Sequence, residues 1–356
     1  MHHSSIFSSE THQAQWHVAR WLVYFVVLLL LAEGLLHLPS VQAALPAPAP
    51  SLWHAPLVED KVEYLRNFAA SHRLDVLFVG NSTMQAGVDP AVFDAERGAL
   101  GAGGASFNAS IEGLPPSVNQ EFLKLFLRHA TPQTVVIGVS PQDLNTNSPW
   151  AKDMDERAGH SINLQAGAAD SPMGYALAFL LEHSELFRYR YVLHQLLLRG
   201  GHAVPHPEVY FDERGFDAIE RSLADFSPSE RLKAQNRAGV LNYDPNGAQA
   251  DALRAMIDLI RSHGAQPALV AMPLSDHYYA NFDTPEDYDA YRRALQRLAD
   301  ETGTPLWDME SLPGDESFGD HEFGDLNHLN RVGAERLSTL LAREYAAATN
   351  LAQGQE

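Results

Sequence analysis

The feature that most constrains the fold is a recurrence of short apolar runs, each ending on small or polar residues. The clearest lies in residues 74–87, LDVLFVGNSTMQAG, where Val76-Leu77-Phe78-Val79 stops at Gly80-Asn81-Ser82. A run that is apolar at every position has both faces buried, as in a central strand of a parallel sheet. Residues 134–139 (TVVIGV), 268–272 (ALVAM) and 305–309 (PLWDM) repeat the pattern, and 106–109 (SFNA) is a shorter version. Segments with helical spacing of apolar residues stand between them, at 59–72, 90–97, 115–129, 248–263 and 286–302. This rhythm predicts βαβ units, a parallel sheet and an α/β fold. A chain of 356 residues is long enough for one large domain or two small ones.

Open α/β sheets bind ligands beyond the C-terminal ends of their strands, and Ser82 stands at such a place. A serine hydroxyl becomes a nucleophile when a base takes its proton, and the base works best with a carboxylate to orient it. Residues 323–330, FGDLNHLN, offer Asp325 and His328 just before a helix pattern at 332–345. The three-residue spacing suits a turn in which the carboxylate reaches Nδ1 while Nε2 points outward. Taken singly, Ser82 also reads as a turn or cap serine, and Asp325 and His328 as caps of the last helix.

Together, Gly80-Asn81-Ser82, the segment SFNASIEG at 106–113 and DLNH before LNRVGAERLSTLLA resemble the sequence blocks of the SGNH hydrolase superfamily, related to GDSL esterases. The resemblance spans roughly residues 70–348. It implies a three-layer sandwich around a mostly parallel sheet and a catalytic triad of Ser82, His328 and Asp325. It also implies an oxyanion hole built from the amides of Ser82 and Gly113, with Asn81 and Asn108 beside the substrate. One block departs from the pattern. Gly138-Val139-Ser140-Pro141 stands where the family carries GxND, leaving Ser140 or Asn145 as substitutes for the usual asparagine donor. His277, in the loop 273–279 after a strand, reads either as a pocket residue or as a solvated loop histidine.

Forty-five acidic against twenty-five basic residues give a formal charge of −20, which argues against a nucleic-acid partner. The absence of cysteine removes thiolate catalysis, disulfides and cysteine-based zinc sites together. The cluster Asp320, His321, Glu322, Asp325 and His328 lacks an HExxH arrangement and reads as a solvated acidic loop; no metal and no cofactor are expected. The glycine-rich loop 98–104 lacks the features of a phosphate cradle.

Residues 21–38, WLVYFVVLLLLAEGLLHL, are just long enough to cross a bilayer and follow Arg20, which marks a cytoplasmic side. Three readings are compatible with them: an uncleaved single-pass anchor with residues 1–20 as a cytoplasmic tail, a signal sequence cleaved near Val41-Gln42-Ala43, or a buried helix of the domain, which the following Pro/Ala stretch disfavours. Residues 39–58 read as a Pro/Ala-rich linker, 59–348 as the α/β domain and 349–356 as a tail. Within the domain, residues 148–241 break the βα rhythm and read as a helical insertion, either a cap near the site or a surface elaboration, with one long helix at 173–198. Membrane-tethered members of the resembled superfamily move acyl groups on exopolysaccharide, peptidoglycan or teichoic acid. The resemblance therefore implies an inner-membrane, periplasm-facing esterase or O-acyltransferase. Its expected partners are an acylated glycan or acyl donor and a membrane-bound O-acyltransferase. A catalytically weak scaffold that binds glycan or organises such a complex is the alternative.

Overall fold

The computed structural model describes residues 7–45, 55–159, 172–198, 209–312 and 317–353. Residues 1–6 and 354–356 of the expected tails, 46–54 of the linker, and 160–171 and 199–208 of the insertion lie outside the described residues; the rest of both expected tails is helical, within Phe7–Leu36 and Arg331–Gln353. The described chain falls into two units, one within Met1–Pro56 and Ala169–Pro207, the other within Leu57–Ala168 and Glu208–Glu356.

The larger unit is α/β. Five strands, β1 (Leu74–Val79), β2 (Ala105–Asn108), β3 (Thr134–Val139), β4 (Gln266–Ala271) and β5 (Leu306–Asp308), form one parallel sheet in the order β2-β1-β3-β4-β5. Leu77 pairs with Phe107 on one side and Val135 on the other. Because the chain leaves β1 first toward β2 and later returns to β3 on its opposite side, the strand order reverses between β1 and β3. Loops at such a point diverge and open a crevice at the strands' C-terminal ends.

Alternation within the strands divides the apolar side chains between two faces. Val76, Phe78, Val136, Ala268 and Val270 share one cluster with Phe93, Leu337, Leu341 and Tyr345. Helices Pro90–Ala99 and Arg331–Gln353, which supply those last four residues, pack on each other, whereas Pro116–His129 packs on Ala248–Ser262, and Ala248–Ser262 on Pro285–Thr302. Gly80 follows β1 where space is tight: a Cβ there would lie 2.9 Å from Met84 Cβ and 3.2 Å from the Gly138 carbonyl. Buried Lys61 ties the returning insertion to the sheet by donating to the carbonyls of Asn108 (3.1 Å) and Gly215 (2.5 Å). Burial pulls its ammonium down to about 7, against the opposing charges of Asp217 and Asp212.

Insertion 148–241 is shared between the units. Helices Pro149–Gly159 and Glu230–Val240 belong to the α/β unit, while residues 172–198 belong to the other. The single helix expected at 173–198 is three: Pro172–His183, Glu185–Arg188 and Arg190–Leu198. The first break falls where Ser184 turns its hydroxyl to the Phe187 amide and starts a new helix, a local bond that competes with helix continuation. In the same unit, helix Phe7–Leu36 carries a stretch, Trp16–Leu36, that is long and apolar enough to cross a membrane. Apolar positions Trp21 to Leu31 along it are exposed.

Candidate active site

β1 delivers Asn81 and Ser82 into the crevice. Asn81 is the N-cap of helix Ser82–Gly87, its side-chain oxygen accepting from the Thr83 amide and hydroxyl, both at 2.7 Å. With the cap supplied by its neighbour, Ser82 occupies the first helical position with its hydroxyl uncommitted to the backbone. It stands partly exposed.

His328 arrives from the far end of the sequence on a self-braced turn. Phe323 and Leu329 form an antiparallel bridge, and the Gly324 amide donates to the His328 carbonyl at 2.8 Å. Inside that turn, Asp325 Oδ1 accepts from the amides of Asn327 (3.2 Å) and His328 (3.0 Å). These bonds fix the three-residue spacing. His328 Nδ1 lies 2.8 Å from Asp325 Oδ1, and Nε2 lies 2.7 Å from Ser82 Oγ. With its proton on Nδ1, the imidazole donates to the carboxylate and accepts from the serine.

The electrostatics follow from these contacts. Burial alone would raise the Asp325 carboxyl, but the charge and hydrogen bond of His328, with the two turn amides, bring it down to about 2. Burial lowers His328, yet the Asp325 charge and hydrogen bond, with a contribution from Glu112, hold it above its ordinary value; Arg221 opposes. Arg221 was not anticipated from the sequence. Its guanidinium donates to Asp325 Oδ2 (3.0 Å) and to the Gly324 carbonyl (2.9 Å), gripping the turn from the segment before helix Glu230–Val240.

Ser82 and His328 open into a cavity of about 510 Å³, also lined by Asn81, Gly113, Gln142 and Trp150. Gly113 adopts φ 71°, in the left-handed region that favours glycine. Its surroundings demand glycine a second time, since a Cβ would meet the Trp150 ring at 2.9 Å. Trp150 Nε1 donates to the Gly113 carbonyl at 2.6 Å, so the indole both covers this residue and sets the direction of its following peptide. Glu112, just before it, donates its amide to Gln85 Oε1 at 2.8 Å. Trp150 and Gln85 were missed because each acts across a long sequence separation.

Of the remaining predicted residues, only Asn81 lines this cavity. Ser140, the N-cap of helix Pro141–Leu144, is buried, and its amide and hydroxyl both donate to Asp143 Oδ2 at 2.8 Å. Asn145 spends its amide nitrogen on the carbonyls of Gly239 (2.9 Å) and Leu241 (3.1 Å). Both expected stand-ins for the family's asparagine donor are thus committed to folding the loop after β3. Asn108, expected beside the substrate, is fully buried and donates to the carbonyls of Met84, Gln85 and Val88, closing the end of helix Ser82–Gly87. His277 is exposed, pairs with Asp320 at 3.1 Å and does not line the cavity. Asn81 does line it, but its amide nitrogen donates to Asp143 Oδ1 (2.7 Å) and Ser140 Oγ (3.2 Å), bracing the β1 loop against the β3 loop. Burial pushes the Asp143 carboxyl up to about 6, although these donors pull the other way. In the acidic loop, Glu322 is engaged by Arg336 at 2.9 and 3.0 Å.

No family model and no curated protein matches the chain. Solved structures align with the chain at low identity. A GDSL-like lipase from Bacteroides thetaiotaomicron covers 82% of this chain and 99% of its own, at 9% identity and a TM-score of 0.41. The lipase/acylhydrolase from Enterococcus faecalis covers 77% and 97%, at 16% identity and 0.38. The psychrotrophic esterase EstA from Pseudoalteromonas covers 78% and 98%, at 10% identity and 0.35.

Proposed function

We propose that this chain is a serine esterase or O-acyltransferase that works through a covalent acyl-enzyme, with Ser82 as nucleophile, His328 as general base and acid, and Asp325 as its orienting carboxylate. The observation that carries the reading is the continuous relay from Ser82 Oγ through both nitrogens of His328 to Asp325, at 2.7 and 2.8 Å.

In this mechanism His328 Nε2 takes the Ser82 proton as Oγ attacks an ester carbonyl. Asp325 stays ionised and stabilises the imidazolium without accepting its proton. The tetrahedral oxyanion is met by the amides of Ser82 and Gly113, each such donor contributing about 3 kcal/mol to the transition state. His328 then returns the proton to the leaving oxygen. Water attacks the acyl-serine in hydrolysis, and an alcohol does so in transfer; His328 serves as base for either.

The substrate we favour is an O-acylated glycan of the cell envelope, with the chain held at the membrane by helix Trp16–Leu36 and its α/β unit outside the cytoplasm. Two features support this. The cavity wall combines an aromatic face, Trp150, with the hydrogen-bonding side chains Gln142, Gln235, Asn236 and Asp153, a lining suited to a sugar's apolar faces and hydroxyls. The apolar helix supplies a tether of adequate length.

The test is acetyl release from p-nitrophenyl acetate by the full chain in detergent, alongside labelling by a serine-reactive phosphonate. Turnover and labelling that both vanish in Ser82→Ala uphold the reading. A folded protein that neither turns over nor labels would overturn it and leave the binding scaffold. Acyl transfer to glycan oligosaccharides, measured by mass gain, then tests the substrate class.

A further inference from the structure

The unit containing the N-terminal helix holds a feature that acyl transfer does not explain. Glu33 sits near the C-terminal end of helix Phe7–Leu36, directly after the apolar run 21–32, and its carboxylate is spent on the start of helix Glu185–Arg188. Oε1 accepts from the Glu185 amide at 2.8 Å; Oε2 accepts from the Leu186 amide at 2.9 Å and the Ser184 hydroxyl at 2.8 Å. Two amides with no partner inside their own turn and a hydroxyl converge on one carboxylate, so the arrangement is a specific tie. Leu36, Tyr189 and Val192 bury a small core beside it, with Val41, Leu186 and Leu196 packed around.

The same segment turns large apolar side chains outward. Met173 is 65% exposed, Tyr175 64%, Phe179 61% and Leu197 81%. Residues 172–181, PMGYALAFLL, carry no charge at all. Side chains of this kind concentrated on one short segment, outside any core, mark a contact surface. At ~1.5 Å per residue, helices Pro172–His183 and Arg190–Leu198 reach ~18 and ~14 Å, well short of the ~30 Å hydrocarbon core. They cannot span a bilayer. Arg188 stands between them and Arg190 opens the second, its guanidinium 4.3 Å from the Phe187 ring centre, a mix of basic and aromatic groups suited to the headgroup boundary.

We infer that residues 172–198 form an interfacial helical element that lies in the membrane leaflet where the N-terminal helix ends, its exposed apolar side chains covered by lipid. The occupant follows from continuity: Glu33 and the Leu36 core fasten this segment to the end of the one helix, among the described residues, that can cross a membrane. The inference therefore rests on that helix remaining as an anchor. The insertion would then act as a second membrane contact, holding the protein to the bilayer along its surface as well as through it.

The absence of cysteine makes a direct test available. Single variants Leu29→Cys, Phe179→Cys, Leu197→Cys and Asp258→Cys of the full chain would carry an environment-sensitive fluorophore. They would be reconstituted in vesicles of phosphatidylcholine with a minority of phosphatidylglycerol. Lipids nitroxide-labelled near the headgroup or deep in the acyl chain, and aqueous iodide, then quench each position. The expected result is deep quenching at 29, headgroup-level quenching with several-fold reduced iodide access at 179 and 197, and full iodide access at 258. Iodide access at 179 and 197 equal to that at 258, with 29 still deep, overturns the inference and leaves the anchor standing. Shielding of 179 and 197 from iodide and lipid alike also overturns it, in favour of a protein partner or a second copy. Iodide access at 29 overturns the anchor and the inference together. In Glu33→Ala, iodide access at 179 should rise several-fold while 29 stays deep; no change would remove Glu33 as the tie.

Discussion

Two serines follow neighbouring parallel strands at the same edge of the sheet, Ser82 after β1 and Ser140 after β3, and they meet opposite fates. Ser82 is partly exposed with its hydroxyl 2.7 Å from His328 Nε2, whereas Ser140 is buried with its hydroxyl on Asp143. The difference is a shift of one residue in the capping position. After β1 the cap is Asn81, so the serine behind it keeps a free hydroxyl; after β3 the serine is itself the cap. What removes Ser140 from the crevice's chemistry is the Asp143 carboxylate, which takes both its amide and its hydroxyl, whereas the hydroxyl of Ser82 faces His328.

The sharpest way to break this contrast is to remove each hydroxyl. Ser82→Ala should lower kcat for ester hydrolysis by about 10⁴–10⁶-fold with little effect on the thermal midpoint. Ser140→Ala should do the reverse, costing about 1 kcal/mol in denaturant unfolding and less than about tenfold in kcat. Equal losses of activity in the two variants would put Ser140 in the chemistry. Next in size, Asp325→Asn should cost about 10³–10⁴-fold in kcat, because an amide no longer fixes the imidazole tautomer. Trp150→Phe keeps a ring over Gly113 but deletes the bond to its carbonyl. A fall in kcat of about tenfold with KM nearly unchanged is expected if that bond orients the oxyanion donor; a change in KM alone would make Trp150 a substrate contact only.

The smallest effects concern pH. His328 must be neutral to accept the serine proton, and its pKa is held above the ordinary histidine value. The acid limb of kcat/KM should therefore rise through a pH above about 6.5. Glu112 favours the imidazolium, so Glu112→Gln should move the limb to lower pH; Arg221 disfavours it, so Arg221→Gln should move it higher. Shifts in the opposite directions would mean that another group controls the limb. Asp325, held near 2, stays ionised across the whole range.

Strands β1, β3 and β4 were legible because a strand buried on both faces advertises itself as an unbroken apolar run. Ser82, Asp325 and His328 were legible because strand-end and turn chemistry confine them to short local signals. What escaped reading acts at a distance. Asn108 looks like a site residue from its neighbours in sequence, yet its amide is consumed by three carbonyls of a helix it meets only in the folded sheet. Arg221 lies in a segment with no periodicity, more than a hundred residues before the carboxylate it holds. The break at Ser184 was hidden because its stabilising acceptor, Glu33, lies 151 residues upstream.

The separation of 246 residues between Ser82 and His328 also has a consequence for biosynthesis. Throughout elongation, and until the turn at Phe323 to Leu329 has formed, the nascent chain carries a serine without a base. On the proposed reading, any truncation before residue 328 leaves Ser82 without its base.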